Sequence, residues 1–438
     1  MSRIRQLYAG NADFDAELTA LLHADEDDRE TVRSAVRDII KAVRHGGDEV
    51  IVELTNRFDR RNVKSIDELE IGKSEMAAAV TRIDPLVREA LESSIARVRR
   101  YHEQQKRSFG DQIDWGYEDE DGNELGQRVR GMERVGIYAP GGKASYPSTV
   151  IMTAVPARVA EAGEIILVVP APEGAISDVL LAAANLCGID RLFTMGGAQA
   201  VAALAYGTQT VPKVDKIVGP GNIYVATAKE LVYGDVGIDL IAGPSEVVIV
   251  ADSSVNPDWL VMDMFAQAEH DEMAQAILIS TDPAVLDDIA GRIESTLNEM
   301  ERARIIEASI SDRGALILVD DLQQAASVVN RIAPEHLELA ISDPDTLLPM
   351  IRHAGAIFIG SHTAEAIGDY CAGPSHVLPT SGTARFASPL GVYDFQVRSS
   401  IIRCSPKGAV MLGRDASILA REEGLEAHAR SADYRAEG

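Results

Sequence analysis

The sequence predicts an α/β protein made of two successive Rossmann-like units with parallel sheets. Three observations carry that prediction. From Val135 onward, short apolar runs alternate with helix-period segments, which is the rhythm of parallel strands joined by crossover helices. The rhythm restarts at Ser245, so there are two units and not one. Glycine-rich turns follow several of the apolar runs, where α/β sheets receive ligands.

Taken in order, residues 1–26 read as a short arm. From Asp27 to about Asp114 the pattern is helical: RETVRSAVRDIIKAVRHGGDEVIVELTNRF has apolar residues three and four apart, with a break at Gly46. Residues 112–134 are polar and contain glycine, and read as turns or a hairpin. The first α/β unit follows as EIILVVP, SDVLLAAANLCG, RLFTMGG, AQAVAALAYG, KIVGPG and NIYVATAKELVYG. The second comprises SEVVIVAD, WLVMDMFAQAEH, AILIS, a long charged helix, ALILVD, another helix and GAIFIG. After about Leu390 the chain becomes a tail of short elements.

The bulk numbers agree with a large enzyme. A chain of 438 residues, 46% of them hydrophobic, exceeds one ordinary core. A net charge of -26 repels nucleic acid and anionic membrane, so neither is expected as a partner. Cys187, Cys371 and Cys404 fit neither a disulfide framework nor a CxxC zinc site. No apolar leader core and no run of about 18 apolar residues is present. A reducing, cytoplasmic setting is the expectation.

Three turns replace the usual GxGxxG fingerprint: YAPGGKASYPS (Tyr138–Ser148), MGGAQA (Met195–Ala200) and GPGN (Gly219–Asn222). Glycine lets backbone approach a phosphate, and a following helix offers free N–H groups. Each alone could be an ordinary turn; three in one unit point to a nucleotide.

Four segments concentrate groups suited to metal and proton chemistry. In AQAEHDE, Gln267 and His270 lie three apart on an expected helix, where an imidazole and an amide oxygen could meet a cation, or could be a solvated helix end. In APEHLELA, Glu335 and His336 follow Pro334 and should open an element; they offer two proton acceptors, or an acidic first turn. In GDYCAGPSHVLPTSG, Asp369 and His376 sit in a loop with few other charges. In EEGLEAHARS, Glu423 and His428 lie on the tail, where a histidine is commonly just exposed. Composition and spacing reach an α/β enzyme with a plausible nucleotide and metal, and leave the reaction open.

Together these segments resemble histidinol dehydrogenase. The resemblance rests on IYAPGGKASYPSTV, MGGAQAVAALAYGT, KIVGPGNIYVATAK, IAGPSEVVIVAD, AQAEHDE, APEHLEL, GDYCAGPSHVLPTSGTARFASPLGVYDF and EGLEAHARS, in that order. It implies a homodimer of two incomplete Rossmann-like domains, with the N-terminal arm and C-terminal tail exchanged. The implied division is an arm at 1–26, a first domain of 27–134 and 246–390 with the metal and catalytic residues, a second of 135–245 with the NAD loops, and a dimerisation tail at 391–438. Implied zinc ligands, one ion per subunit, are Gln267, His270, Asp369 and, from the other subunit, His428. Glu335 and His336 become the catalytic pair. Substrate contacts fall on Ser245, Gln267, His270, Glu335, His336, Asp369, His376, Glu423 and His428, and NAD contacts on Tyr138, Gln199 and Asn222. Ser375 departs from the Asn expected before the histidine, but keeps hydrogen-bonding capacity. The implied reaction takes L-histidinol through bound L-histidinal to L-histidine with two NAD⁺. The alternative is a paralogous zinc and NAD dehydrogenase of another small alcohol, against which the full set Ser245, His376 and Glu423 argues.

Overall fold

The computed structural model describes residues 4–22, 29–108, 114–141 and 146–437. Two six-stranded sheets dominate it. The first has the order Glu70–Ile71, Arg191–Phe193, Glu164–Val168, Arg134–Tyr138, Lys216–Val218, Gly237–Ile238, parallel except for its antiparallel first strand. The second has the order Arg5–Tyr8, Ala315–Leu318, Gln275–Ser280, Glu246–Ala251, His336–Ala340, Ala356–Ile359, parallel throughout. The central strands EVVIVA and QAILIS are buried at every position. Helices cover both their faces, so an unbroken β-branched and aliphatic run is the pattern that fits.

In each sheet the chain winds one way and then crosses to the other side. The switch falls between Arg134–Tyr138 and Lys216–Val218 in the first sheet, and between Glu246–Ala251 and His336–Ala340 in the second.

Two expectations about domain membership differ from the packing. The helical stretch after the arm was expected to join residues 246–390. Instead Arg29–Gly46 and Asp48–Phe58 place Val36, Val43 and Ile51 in one core with Phe193, Val201 and Ile217. Lys73–Arg82 and Pro85–Ser108 place Met76, Ala79 and Val98 against Val135, Val150 and Leu180. These helices therefore clothe both faces of the first sheet. An amphipathic stripe shows that a helix has a buried face, but not which sheet it meets. The arm likewise belongs to the body of its own chain. Arg5–Tyr8 is the edge strand beside Ala315–Leu318, and Phe14, Leu18 and Leu21 enter the core of the second sheet.

The segment read as turns or a hairpin is a hairpin, Trp115–Glu118 with Glu124–Gly131. Its turn is held by Asp119, whose Oδ1 accepts from the N–H groups of Asp121 and Asn123, both at 2.9 Å. The tail strand Gln396–Arg403 adds antiparallel to it. Two helices, Pro406–Glu422 and Glu426–Glu437, then pack on each other. No helix among the described residues is long and apolar enough to cross a membrane.

If the arm is integral, Leu18, fully buried, is a core residue like any other. Leu18→Ala should cost about 2–5 kcal/mol and lower the urea midpoint clearly. An unchanged midpoint would mean that the arm is loosely held.

Candidate active site

The candidate site forms where the amino edge of the second sheet meets loops reaching across to the first. The helix Leu322–Ile332 ends at Ala333, which is left-handed at φ 52, and Pro334 prevents its continuation. The chain therefore turns sharply and delivers Glu335 and His336 to the start of the strand His336–Ala340. This agrees with the sequence reading that the pair opens an element. An alanine in that conformation costs about 1 kcal/mol, a local strain placed immediately before the reactive pair.

Both side chains are gripped by one residue of the neighbouring strand. The N–H of Glu246 donates to Glu335 Oε2 at 3.0 Å, and the Glu246 carbonyl lies 3.0 Å from His336 Nδ1. A carbonyl only accepts, so Nδ1 carries the hydrogen, and Nε2 of the neutral ring has its lone pair unused. His336 Nε2 is buried without a hydrogen-bond partner and sits 3.6 Å from Asp369 Oδ1. Nδ1 is also 3.7 Å from Glu335 and 3.8 Å from Glu365.

This crowding sets the proton affinities. Burial disfavours imidazolium at His336, but the carboxylates of Glu365, Glu335 and Asp369 outweigh it and hold the ring well above its usual value. Burial pushes Glu335 up to about 8 and Glu246 up to about 7. Glu365 is raised strongly, again chiefly by burial. Asp369 moves the other way: burial would raise it, yet His336 outweighs burial and holds it low.

Gln267 lies in the helix Pro257–Ala268 and is fully buried. With its amide nitrogen turned to Glu365, it donates to the two carboxylate oxygens at 2.9 and 3.1 Å. The carbonyl oxygen is then the end left for a cation. His270 lies just past the helix, not on it as expected; its N–H reaches back to the Gln267 carbonyl at 3.3 Å. His270 and His376 are both electrostatically coupled to Asp369 and His336. His376 Nδ1 donates to the Asp369 carbonyl at 3.0 Å. Ser375 donates to the Met152 carbonyl at 3.0 Å, tying this loop to the first sheet's helices. Ser245 directly precedes Glu246.

Thus Gln267, His270, Glu335, His336, Asp369 and His376 converge, while Ser245 is linked to them only as the chain neighbour of Glu246. Glu423 and His428 do not join them: Glu423, just past the helix Pro406–Glu422, and His428, on Glu426–Glu437, are both exposed in the tail. The sequence reading missed Glu365, Glu338 and Asp263. Among the described residues, the tightest grouping of possible ligand atoms is His336, Glu365 and Asp369, all within 4.8 Å of one another. Only Asp369 is shared with the expected ligand set. Glu365 carried a signal, one helical turn before Asp369 in EAIGDY, as did Glu338, two residues beyond His336 on the same strand face. Glu338 is raised to about 8 by burial and by Asp263.

The three expected cofactor residues surround the first sheet's switch point. Tyr138 ends one switch strand, and its hydroxyl accepts from the Gly197 N–H at 3.1 Å. Gln199 is buried in the first turn of the helix Gly197–Tyr206. Asn222 caps the helix Ile223–Val232, accepting from Tyr224 and Val225 at 3.1 and 3.2 Å. Residues 142–145 of the Tyr138–Ser148 turn lie outside the described residues.

Helix starts differ in how they are capped, and in the first sheet Ser177 and Asn222 also cap helices with their side chains. After strands of the second sheet, Asn256, Asp282 and Asp321 each fill a helix N-terminus with their own side chains. In the first sheet, the helices Pro147–Val159 and Gly197–Tyr206 start without a side-chain cap, at Tyr146 and Gly196. Uncapped N–H groups suit a phosphate, whereas aspartate caps exclude one.

Uncapped helix starts at the carboxyl edge of one parallel sheet and a buried glutamate–histidine pair on the other are features of a dinucleotide-dependent oxidoreductase. The comparisons narrow the class: the histidinol dehydrogenase family profile matches residues 22–436, and the chain belongs to that family. It is 60% identical over 432 residues to histidinol dehydrogenase of Pseudomonas putida, covering 99% of this chain and 97% of the relative. It is 57% identical over 433 residues to that of Methylococcus capsulatus, covering 99% and 98%. The crystal structure of histidinol dehydrogenase from Elizabethkingia anophelis superposes with a TM-score of 0.91 at 30% identity, covering 100% of this chain and 99% of that one. The chain is an oxidoreductase of histidine biosynthesis, a family that uses NAD and a metal.

The raised Glu335 has a thermodynamic signature. The folded protein keeps this proton to about pH 8, whereas the unfolded chain releases it near 4.5. Between those values the folded state binds more protons, so this contribution to stability is lost as pH rises. In protein stripped of metal, Glu335→Gln should gain on the native sequence from pH 5 to 8, by on the order of 1 kcal/mol per pH unit. Urea melts at several pH values test this; a gap that shrinks with rising pH would contradict the assignment.

Proposed function

We propose that the chain oxidises L-histidinol to L-histidine by way of bound L-histidinal, reducing two NAD⁺, in a site that holds one zinc ion and is completed by a second copy of the chain. The observation that carries this reading is the His336 tautomer, with Nδ1 tied to a backbone carbonyl near Glu335 and an unpartnered Nε2 beside Asp369.

The donor set fits a divalent cation. Carboxylates outnumber the positive groups around His336, and Gln267 is oriented by Glu365. Gln267, His270, Asp369 and the partner subunit's His428 would hold zinc. When bound, the metal neutralises charge and orients the substrate's nitrogens, and the nicotinamide takes up hydride.

The protein's own groups manage the protons. In the first half, His336 Nε2 takes the hydroxyl proton as the carbinol carbon loses hydride, giving the aldehyde. Glu335, ionised, takes a proton from water as that water adds to the carbonyl, and His336 returns its proton to the carbonyl oxygen, giving the hydrate. In the second half, His336 takes a hydrate proton as the second hydride leaves, and the acid results. Ser245, His376 and the partner's Glu423 would contact the substrate. Tyr138, Gln199 and Asn222 would hold the cofactor at the switch point.

The dimer is supported by the tail. Val397, Ile401, Ile402, Ile418 and Leu419 are all exposed, more apolar surface than a tail left in water would carry. The cytoplasm is the setting that matches a small-molecule oxidation with free thiols.

The direct test counts NADH per L-histidinol consumed. Two are expected, with activity lost on chelation and recovered on adding zinc. One NADH with aldehyde accumulating, or full activity in metal-free protein, would overturn the reading.

The shared site is tested by mixing. His428→Ala and Glu335→Ala should each be inactive alone. Hybrid dimers should regain activity, because one of their two sites carries neither lesion. Demonstrated subunit exchange without activity would show that each chain builds its own site.

A further inference from the structure

The turn after the strand Lys216–Val218 is held in an uncommon way. Gly219 has φ +108, and a Cβ there would come within 2.1 Å of the Tyr138 carbonyl oxygen, so this position admits only glycine. Its two peptide groups are held by two side chains. The Gly219 N–H donates to Asp239 Oδ2 at 2.7 Å, and the Gly219 carbonyl accepts from Lys229 Nζ at 2.9 Å. Lys229 and Asp239 also form a close ion pair with each other, their side chains 2% and 1% exposed.

Two buried charges are commonly no more stabilising than a well-packed apolar pair. What an apolar pair could not supply is the grip on the two peptide groups that flank one residue. Lys229 lies on the helix Ile223–Val232, and Asp239 follows the edge strand Gly237–Ile238. The pair therefore fixes the turn from its helix and from the neighbouring strand at once. Three residues after Gly219 comes Asn222, which caps that same helix.

We propose that Lys229 and Asp239 are a positioning pair for the cofactor: they set the Gly219–Asn222 turn and so govern NAD⁺ affinity, without touching the substrate or the metal. This rests on the reading of that turn as a cofactor loop. Neither residue stood out in the sequence, because a lysine in a helix and an aspartate after a strand are ordinary; only the fold brings them together.

The test compares the native protein with Lys229→Met and with Lys229→Met/Asp239→Asn. The single change leaves a buried charge unpaired and should be the more damaging. The double change removes both charges and keeps an acceptor for the Gly219 N–H. Three quantities are measured on each protein: NAD⁺ affinity by calorimetric titration, zinc content per subunit, and L-histidinol affinity without cofactor. The double variant should bind NAD⁺ at least tenfold more weakly, with zinc content and histidinol affinity within about twofold of native. Native NAD⁺ affinity in the double variant would overturn the proposal. So would parallel loss of all three, which marks a general role in folding. Failure of the native protein itself to bind NAD⁺ would instead overturn the cofactor reading on which the proposal stands.

Discussion

The chemistry of this protein depends on the pairing of two neighbouring parallel strands at their amino ends. Val247 lies opposite His336, and that register puts backbone groups of Glu246 within reach of the side chains of Glu335 and His336, the proposed catalytic pair. One backbone N–H fixes the carboxyl of Glu335, and one backbone carbonyl fixes the tautomer of His336. Because backbone groups do the holding, the geometry survives changes of side chain at 246 but not a slip of register, which would reverse every side chain along the strand. The Ser381 N–H, 2.7 Å from the Glu246 carboxyl, anchors the same residue to the substrate-side loop.

The two sheets divide the work by opposite ends. The first presents its carboxyl edge, where parallel α/β sheets usually take ligands. The second presents its amino edge, and at its carboxyl edge only a small cavity of about 150 Å³ is left among Ala251, Asp252, Val319 and Ser342. There Asp252 accepts from the N–H and hydroxyl of Ser342, both at 2.8 Å, stitching its switch-point loops together. The aspartate caps nearby would repel a phosphate.

Much of this was readable from the sequence, for identifiable reasons. Strands and helices were visible because burial on both faces produces continuous apolar runs. The glycine turns were visible because positive φ and close approach restrict the residue type. Glu335 and His336 were visible as a pair because Pro334 forces a new element. Domain membership was not readable: the helices of residues 29–108 show a buried stripe, but the partner sheet lies far along the chain. Glu365 was missed because a glutamate early in a helix is expected on electrostatic grounds alone. Its role comes from Gln267 and His336, which arrive from distant segments. His428 shows the converse: the family pattern selects it, while its own chain leaves it exposed.

The electrostatics of the cluster bear on how the acid–base pair becomes active. Glu335, Glu338, Glu365 and Glu246 are all pushed toward the protonated form, chiefly by burial, while Asp369 stays ionised beside His336. A protonated Glu335 cannot take a proton from water. The chain alone therefore favours a protonated Glu335 and a charged His336 near neutral pH, so that neither proposed base is free. Positive charge placed beside Asp369 favours ionised carboxylates nearby, and so would return Glu335 to its basic form. Ligand groups lose protons as a cation enters, so occupancy and basicity rise together. The cluster's excess of carboxylates would thereby couple the basicity of the proposed pair, Glu335 and His336, to occupation of the site by a cation.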